Sequence, residues 1–360
     1  MTIQRRSAVE QDTARLRLRR PRPDDLPAYV ALHTDPRTYA HAPHAMPDEA
    51  RCRERLEADL EHWAEHGYGY VAVEDRASGQ VVGWGGVRSW PGDDPHELNL
   101  YYRLAHHRLG EGLGRELARA VVEAAVEDLP EHRVVARMAP HNTASVATAR
   151  RAGLVLVGEQ AHPQDRPDDP PSLVWAGPRL AAVTDPEQVP REEVLDLWLR
   201  VNRAGGAVGS LPDAPRDAVA AALDAHLAVL ADRHGVLGLL RLGDGRLAGL
   251  GFWHRETTRG YTHRLTLWRV MTDPDRRRQG TGRQLVRGLH GLARRWAPRS
   301  RLWLLDYRSG LGLGGFYAGL GWVEVGRVPA GILLRDGETR DDVLMARVPD
   351  GGPLGGDGLT

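Results

Sequence analysis

The strongest constraint on this 360-residue chain is that it repeats itself. Gly112 and Gly153 stand 41 positions apart, as do Gly280 and Gly321, and one offset of 168 relates both pairs. Two stretches with helical character, Asp24 to His33 and Glu192 to Arg200, fall at nearly the same offset. A repeat this long is a duplicated domain rather than a solenoid unit, and the length suits two domains of ordinary size. Whatever fold the chain adopts must therefore work twice.

Within the first copy, residues 1–12 are polar and are expected to fray. Leu16 to Leu18 alternate with arginines as a strand, and Asp48 to Glu65 reads as a second helix. Gly69–Val73 and Val81–Val87 are strands joined around Ser78-Gly79, and Leu98–Leu104 is another. It runs into Leu109-Gly110-Glu111-Gly112-Leu113-Gly114 and a helix carrying Leu117, Val121, Val122 and Ala125. Val134–Met138 then reads as a strand, His141-Asn142-Thr143 opens a helix, and Gly153-Leu154 precedes a further strand. The join between copies lies in the proline- and aspartate-rich Pro163–Pro171 and just beyond it, with Ser172–Trp175 closing one sheet and Arg179–Val183 opening the next. The boundaries drawn are 1–177, 178–349 and a glycine-rich tail, 350–360, expected to be disordered.

In the second copy, Leu267–Met271 has strand character and breaks at Asp273-Pro274. Arg276, Arg277 and Arg278, the turn Gly280-Thr281-Gly282 and a helical pattern on Leu285, Val286, Leu289 and Leu292 follow. A strand, a basic glycine turn and a helix N-terminus together make an anion site, because glycine admits the ligand close to the backbone and first-turn N–H groups point at it. A P-loop is excluded, since the chain has no lysine. A dinucleotide fingerprint would need a third glycine and a distant acid.

Arg-x-x-Gly-x-Gly, Arg277 to Gly282, resembles the pyrophosphate loop of the GCN5-related N-acetyltransferases (GNAT), which hold acetyl-CoA. Downstream, Arg301–Leu305 reads as a strand ending in Asp306-Tyr307-Arg308-Ser309-Gly310; a short helix with Phe316 and Tyr317, then Leu320-Gly321-Trp322, comes before a strand over Val323–Val328. Tyr-x-x-x-Gly-Trp resembles the family's second signature, in which the tyrosine reaches the thioester sulfur, and Asp306 to Tyr317 looks like an Asp-x-Arg-x-Gly subgroup acting on small molecules. The first copy is similar to another branch, the ribosomal-protein N-terminal (RimJ/RimL-like) acetyltransferases, through Tyr102-Arg103-Leu104 and Asn142-x-x-Ser145. It departs from the pattern at Leu109, where arginine, glutamine or tryptophan is usual, and at Ala149, which matches Tyr317. The fold class implied is α/β, two tandem acyl-CoA N-acyltransferase domains, each a mixed, mostly antiparallel sheet flanked by helices and splayed to admit CoA.

Forty-eight basic residues balance 48 acidic ones, so no global field favours nucleic acid or an anionic membrane. The arginines at 276–278 lack interleaved aromatics, which also argues against nucleic acid. A single cysteine, Cys52, excludes an intrachain disulfide and fits a reducing cytoplasm. It reads as incidental rather than nucleophilic. No apolar run is long enough to span a bilayer, and no metal is called for.

Acetyl transfer to an amine requires loss of an amine proton, a donor for the oxyanion and an acid for the departing thiolate. By resemblance, the donor is a backbone N–H near Met271 and Thr272. CoA is expected on Arg277, Arg278, Gln279, Gly280, Thr281, Gly282 and Arg283, and in the first copy on Leu109 to Gly114 and Asn142. Tyr317 is the candidate acid, against the alternative of a packing tyrosine. His263 and Asp306 are the candidate bases, an ordered-water relay being the alternative; the family often has a glutamate where Thr266 stands. Glu97 is the best-placed carboxylate of the first copy. Of the ten tryptophans, most should be core, with one or two lining the acceptor cleft. The expected protein is a cytoplasmic monomer or homodimer that acetylates the amino group of a small molecule (an antibiotic, amino acid or polyamine), with catalysis mainly in the second copy. Two other readings stand beside it: a non-catalytic acyl-CoA sensor or scaffold, and a protein N-terminal acetyltransferase working through the first copy.

Overall fold

The computed structural model describes residues 9–40, 43–89, 94–161, 170–206, 208–209, 211–334 and 337–354. Most of the expected join, and residues 355–360 of the expected tail, lie outside them. The chain divides into two compact units between Arg179 and Leu180, with the turn Leu242–Gly245 grouped with the first.

The first unit begins earlier than its polar start suggests: Val9 is buried. Gln11–Asp12 (β1) pairs with Leu16–Arg19 (β2), and the Gln11 amide donates to the Ala120 carbonyl. Residues 9–12 are therefore held by core and sheet rather than frayed. Helices Leu26–His33 (α1) and Glu49–His66 (α2) follow. Next come strands Tyr70–Asp75 (β3), Val81–Arg88 (β4) and Glu97–Leu104 (β5), and helix Leu113–Asp128 (α3). Arg133–Met138 (β6), helix Thr143–Arg151 (α4), Val155–Gln160 (β7) and Ser172–Ala176 (β8) complete it. The sheet order is β1-β2-β3-β4-β5-β6-β8-β7, antiparallel throughout except for the β5–β6 pair. Cys52 is buried on α2 against Leu56 and Trp84, and burial pushes its thiol up, which suits packing rather than nucleophilic work.

The second unit uses the same plan. Arg179–Val183 (β9), helices Arg191–Arg203 (α5) and Arg216–Ala231 (α6), Gly235–Arg241 (β10) and Leu247–Arg255 (β11) lead to Arg264–Thr272 (β12). Helix Thr281–Trp296 (α7), Leu302–Arg308 (β13), helix Leu313–Ala318 (α8), Val323–Leu333 (β14) and Thr339–Arg347 (β15) follow. Its sheet order, β9-β10-β11-β12-β13-β15-β14, reproduces β2-β3-β4-β5-β6-β8-β7. Helices α3 and α7 both have 16 residues and start 168 positions apart, at Leu113 and Thr281. The spacing seen in the sequence is thus the spacing of equivalent elements.

Sequence patterning explains how α7 seats. Its buried stripe of Leu285, Val286, Leu289 and Leu292 recurs at helical spacing. Gly238 on β10 and Gly251 on β11 leave the room that Leu289 fills; a Cβ at either would lie 2.5 or 2.7 Å from its methyls. Among the described residues, Trp84, Trp198, Trp253, Trp303 and Trp322 are fully buried. Among the described residues no helix is long and apolar enough to cross a membrane.

Candidate active site

In each unit the one parallel pair of strands separates partway along. β12 bonds β13 only over Arg264–Thr266 with Leu302–Leu304. β5 bonds β6 only over Glu97–Asn99 with Arg133–Val135. Beyond these points each pair leaves a wedge lined by backbone groups that a ladder would otherwise use. The glycine turns and helices α3 and α7 sit directly after β5 and β12, so the wedge and the helix N-terminus belong to one site in each unit.

In the second unit, a short 3₁₀ turn over Pro274–Arg276 is capped by the Asp273 side chain, and Arg200 holds Asp273 at 2.6 Å. Arg277 donates to the Ala204 carbonyl at 3.0 Å. Arg278 and Gly280 adopt left-handed backbone, φ 61° and 88°, a conformation that glycine takes at no cost and arginine does not. Gly280 caps α7 with no side-chain acceptor, so the first-turn N–H groups of Thr281, Gly282 and Arg283 receive no side-chain cap. Gln279 donates through its side chain to the Asp275 carbonyl. Thr281 is buried, and a Cβ on Gly282 would lie 3.4 Å from the Phe316 ring, so the helix start is closely packed on that side. This cradle fits an anion such as a pyrophosphate.

The first unit has the same backbone but different charge. Gly110 and Gly112 are left-handed, φ 84° and 79°, Leu113 is buried, and Leu109 is exposed. The Arg108 guanidinium is bound to Glu111 at 3.0 Å and to Asp75 at 2.8 Å, which holds the Asp75 carboxyl down at about 2. Arg15 donates to the Glu111 carbonyl and pairs with Glu116 in the first turn of α3. One offset of 168 puts Gln279 and Gln284 at the places of Glu111 and Glu116, so the second turn lacks both acids. An acid in the first turn already serves the helix dipole that an anion would use. A Cβ on Gly114 would lie 3.6 Å from the Tyr102 ring; the Tyr102 hydroxyl is buried beside Ser145 and Thr148 without meeting hydrogen-bond geometry to either. Asn142 caps α4 by accepting from the Ser145 N–H, and Ala149 is buried where the second unit has Tyr317. Glu97 is occupied by Arg133 and, at 2.9 Å, by Arg137.

Tyr317 is carried by α8 toward β13. Its carbonyl accepts the N–H groups of Leu320 and Trp322, and the Trp322 indole donates to the His290 Nε2 at 3.0 Å. Gly321 turns the chain with φ 82° so that the indole can do this. The Tyr-x-x-x-Gly-Trp spacing is thus the anchor that sets Tyr317. The phenol is buried, its hydroxyl has no hydrogen-bond partner among the described residues, and burial followed by the charge of Asp306 raises its pKa.

Asp306 lies on β13 two residues past the last pairing with β12, at the mouth of the wedge. Asp306 is exposed, yet the surrounding protein and then Asp342 raise its pKa above the usual carboxylate range, while Arg269 opposes them. The Tyr317 ring lies 5.9 Å from that of Tyr307, the residue after Asp306 on β13. His263 is elsewhere: it precedes β12 at the closed end, where its carbonyl accepts from the Arg301 N–H, about 20 Å of extended chain from Arg269. Met271 and Thr272 pair with Leu250 and Gly249 on β11, leaving the other edge of β12 facing the wedge.

Several residues at the mouth escape the sequence reading. The β11–β12 register shifts between Leu250 and Phe252, and at this bulge Arg269 has φ 54°. Its Nε donates to His226 Nε2 at 3.1 Å, and His226 Nδ1 lies 3.3 Å from His254 Nε2. Because a guanidinium only donates, Nε2 of His226 must accept, its Nδ1 carries the proton, and Nε2 of His254 accepts in turn. Burial and then Arg269 lower the two imidazoles to about 3 and about 4, so both are neutral at pH 7. Trp268 is exposed beside His254, ring centroids 3.8 Å apart. No pattern in the sequence announces a bulge, and α6, which supplies His226, has no element assigned to it in the sequence reading.

Residues 15–155 match the family model described as an acetyltransferase (GNAT) domain, so the chain carries a GNAT-type domain in its first unit. Solved structures similar to this chain include an acetyltransferase from Agrobacterium tumefaciens, at 28% identity, covering 46% of this chain and 92% of that one, TM-score 0.38. RimL, a ribosomal alpha-N-protein acetyltransferase in complex with coenzyme A, matches at 18% identity, 46% and 96% coverage and TM-score 0.39. A ribosomal-protein alanine N-acetyltransferase from Escherichia coli matches at 17% identity, 51% and 99% coverage and TM-score 0.38. Among the described residues no group of three or more His, Cys, Asp or Glu side chains is placed to hold a metal ion.

Proposed function

We propose that the protein is a tandem acetyl-CoA-dependent N-acetyltransferase whose second unit performs the transfer to the amino group of a small molecule. The observation that carries this reading is a wedge that opens beside the uncapped, acid-free start of α7, with Asp306 on its β13 side and the Tyr317 ring 5.9 Å from that of the neighbouring Tyr307. Arg277, Arg278, Gln279, Gly280, Thr281, Gly282 and Arg283 would hold the CoA pyrophosphate through backbone N–H groups and positive charge. Asp306, with its raised pKa, takes a proton from the acceptor ammonium; the free amine attacks the thioester carbonyl carbon, the adduct nitrogen gives its second proton to solvent, and the carbon–sulfur bond breaks. The departing sulfur takes the Tyr317 proton, which solvent restores. A backbone N–H on the open edge of β12, near Met271 and Thr272, is the donor for the oxyanion.

Because the family match falls on the first unit, that unit is the rival seat of activity, with protein N-termini as its acceptors. Against it stand the paired Glu97, the acids around Arg108 and Arg15, and Ala149 in place of Tyr317. The test is a library of small amines offered with acetyl-CoA and read by release of free thiol and by product mass. Binding of acetyl-CoA with no thiol release from any amine would leave a sensor or scaffold instead.

A further inference from the structure

The mouth of the second wedge carries separated charges of both signs, and this bears on the acceptor. Arg269 is held from behind by His226 and by the Trp198 ring, 5.6 Å from its guanidinium carbon. The chain at Gly209 lies against it: a Cβ there would fall 1.7 Å from Nη1, so a larger residue would push this guanidinium aside. No carboxylate lies within ion-pair distance of Arg269 among the described residues, and burial lowers its pKa. Two further guanidiniums, Arg277 and Arg308, reach the backbone carbonyls of Ala204 and Gly205, so this wall is cationic. Across the mouth stand Asp306 and Asp342, the second raising the first's cost of ionisation, with Asp342 Oδ1 buried and lacking a partner. With Arg277 on the CoA pyrophosphate, a polycation would still meet the guanidiniums of Arg269 and Arg308 here, and a plain amine would leave Arg269 unanswered.

We infer that the acceptor is zwitterionic, an α-amino acid or a close relative, with its ammonium at Asp306 and its carboxylate on Arg269. This rests on the transferase reading given above and narrows its acceptor, setting aside polyamines, polycationic antibiotics and protein N-termini. Arg269 then acts as a specificity residue that touches the substrate through Nη1 and Nη2, while its Nε stays on His226.

The full chain with acetyl-CoA is offered the free α-amino acids and, in parallel, the matching amino-acid amides, which keep the amine and side chain but lose the carboxylate. Thiol release gives kcat/KM for each. The expected result is a preference for acid over amide of roughly ten- to a hundredfold, the range for one charge-assisted contact. Arg269→Gln should cut that acid-to-amide ratio at least about tenfold, mostly through KM for the acid, and Arg269→Lys should restore part of it. Amides accepted as well as acids by the wild type, or an Arg269→Gln enzyme that retains the ratio, would overturn the inference. If Arg269→Gln does not fold, the wild-type and Arg269→Lys ratios decide alone. Thiol release from simple amines but from no amino acid refutes the acceptor class and spares the transferase. Silence from every amine, with acetyl-CoA bound in calorimetry, removes both.

Discussion

Replacing Tyr317 by phenylalanine separates chemistry from packing more cleanly than any other change at this site. The ring is buried against Tyr307 at 5.9 Å and Trp322 at 6.3 Å, and phenylalanine keeps both contacts. The hydroxyl has no protein partner among the described residues, so its removal leaves no orphaned group and relieves a desolvated one. Stability should stay within about 1 kcal/mol of wild type or rise, a melting shift of roughly 2–4 °C at most for a unit of this size. Against that stands the lost proton for the leaving sulfur. A positioned general acid contributes typically about 10²- to 10⁴-fold, which corresponds to about 2.7–5.4 kcal/mol of barrier at ~1.36 kcal/mol per tenfold. The assay is steady-state thiol release beside single-turnover acetylation, with differential scanning fluorimetry on the same preparation. The expected outcome is a fall in kcat with little change in KM for acetyl-CoA and an unchanged melting temperature. A kcat within about twofold of wild type, with chemistry rate-limiting, would assign Tyr317 to packing; a large loss of stability would show that its hydroxyl has a structural partner.

Other perturbations test neighbouring claims. Gly280→Val places a β-branched residue at φ 88° on the α7 cap and should abolish turnover, whereas Gly112→Val, at φ 79° on the α3 cap, should mainly lower stability. Loss of activity from a folded Gly112→Val enzyme with Gly280→Val spared would move the chemistry to the first unit. The pH profile of kcat/KM should rise with pH as Asp306 ionises, with its limb above the usual carboxylate range because burial and Asp342 raise it. Asp306→Asn should remove that limb, and a limb that survives assigns it to another group. Four buried histidines, His33, His62, His226 and His254, have pKa values lowered to about 4, 4, 3 and 4. Their folded values lie below the unfolded value near 6.5, so the stability they contribute is complete above that pH and is lost as pH falls toward 4. Each should cost on the order of 1.4 kcal/mol per pH unit through that window, seen as a falling melting temperature between pH 6.5 and 4.5. A flat profile would mean that these rings titrate freely in the folded state.

The duplicated architecture was legible because the glycines that mark it are tied to backbone geometry. Gly112 and Gly280 cap equivalent helices in left-handed conformation, and Gly153 and Gly321 end equivalent short ones. Hydrophobic spacing placed α3 and α7 well, since their buried stripes are continuous. Two other stretches were harder to read. Residues 216–231 are alanine-rich, with a weak apolar stripe, and become α6 only through Val219, Leu223 and Leu230 meeting the sheet. Residues 9–12 look like a polar terminus, yet Val9 finds the core and Gln11 the α3 backbone. At the site, Tyr317 was visible through its spacing to Gly321 and Trp322, which the structure explains by the bond to His290. Arg269 was invisible, because its role depends on a bulge and on partners 43 and 71 positions away, His226 and Trp198.

The donor order around Arg269 settles what the two histidines behind it are for. A proton wire needs each member to accept on one side and give on the other, ending on a lone pair at the reacting centre. This chain starts at a guanidinium, which has no lone pair to offer, and every hydrogen in it points away from the wedge, from Arg269 to His226 to His254. No proton lost by an acceptor amine can enter it. The imidazoles form a brace that orients a fixed charge, and under the proposed transfer the proton has to leave by another route, for which Asp306 is the candidate.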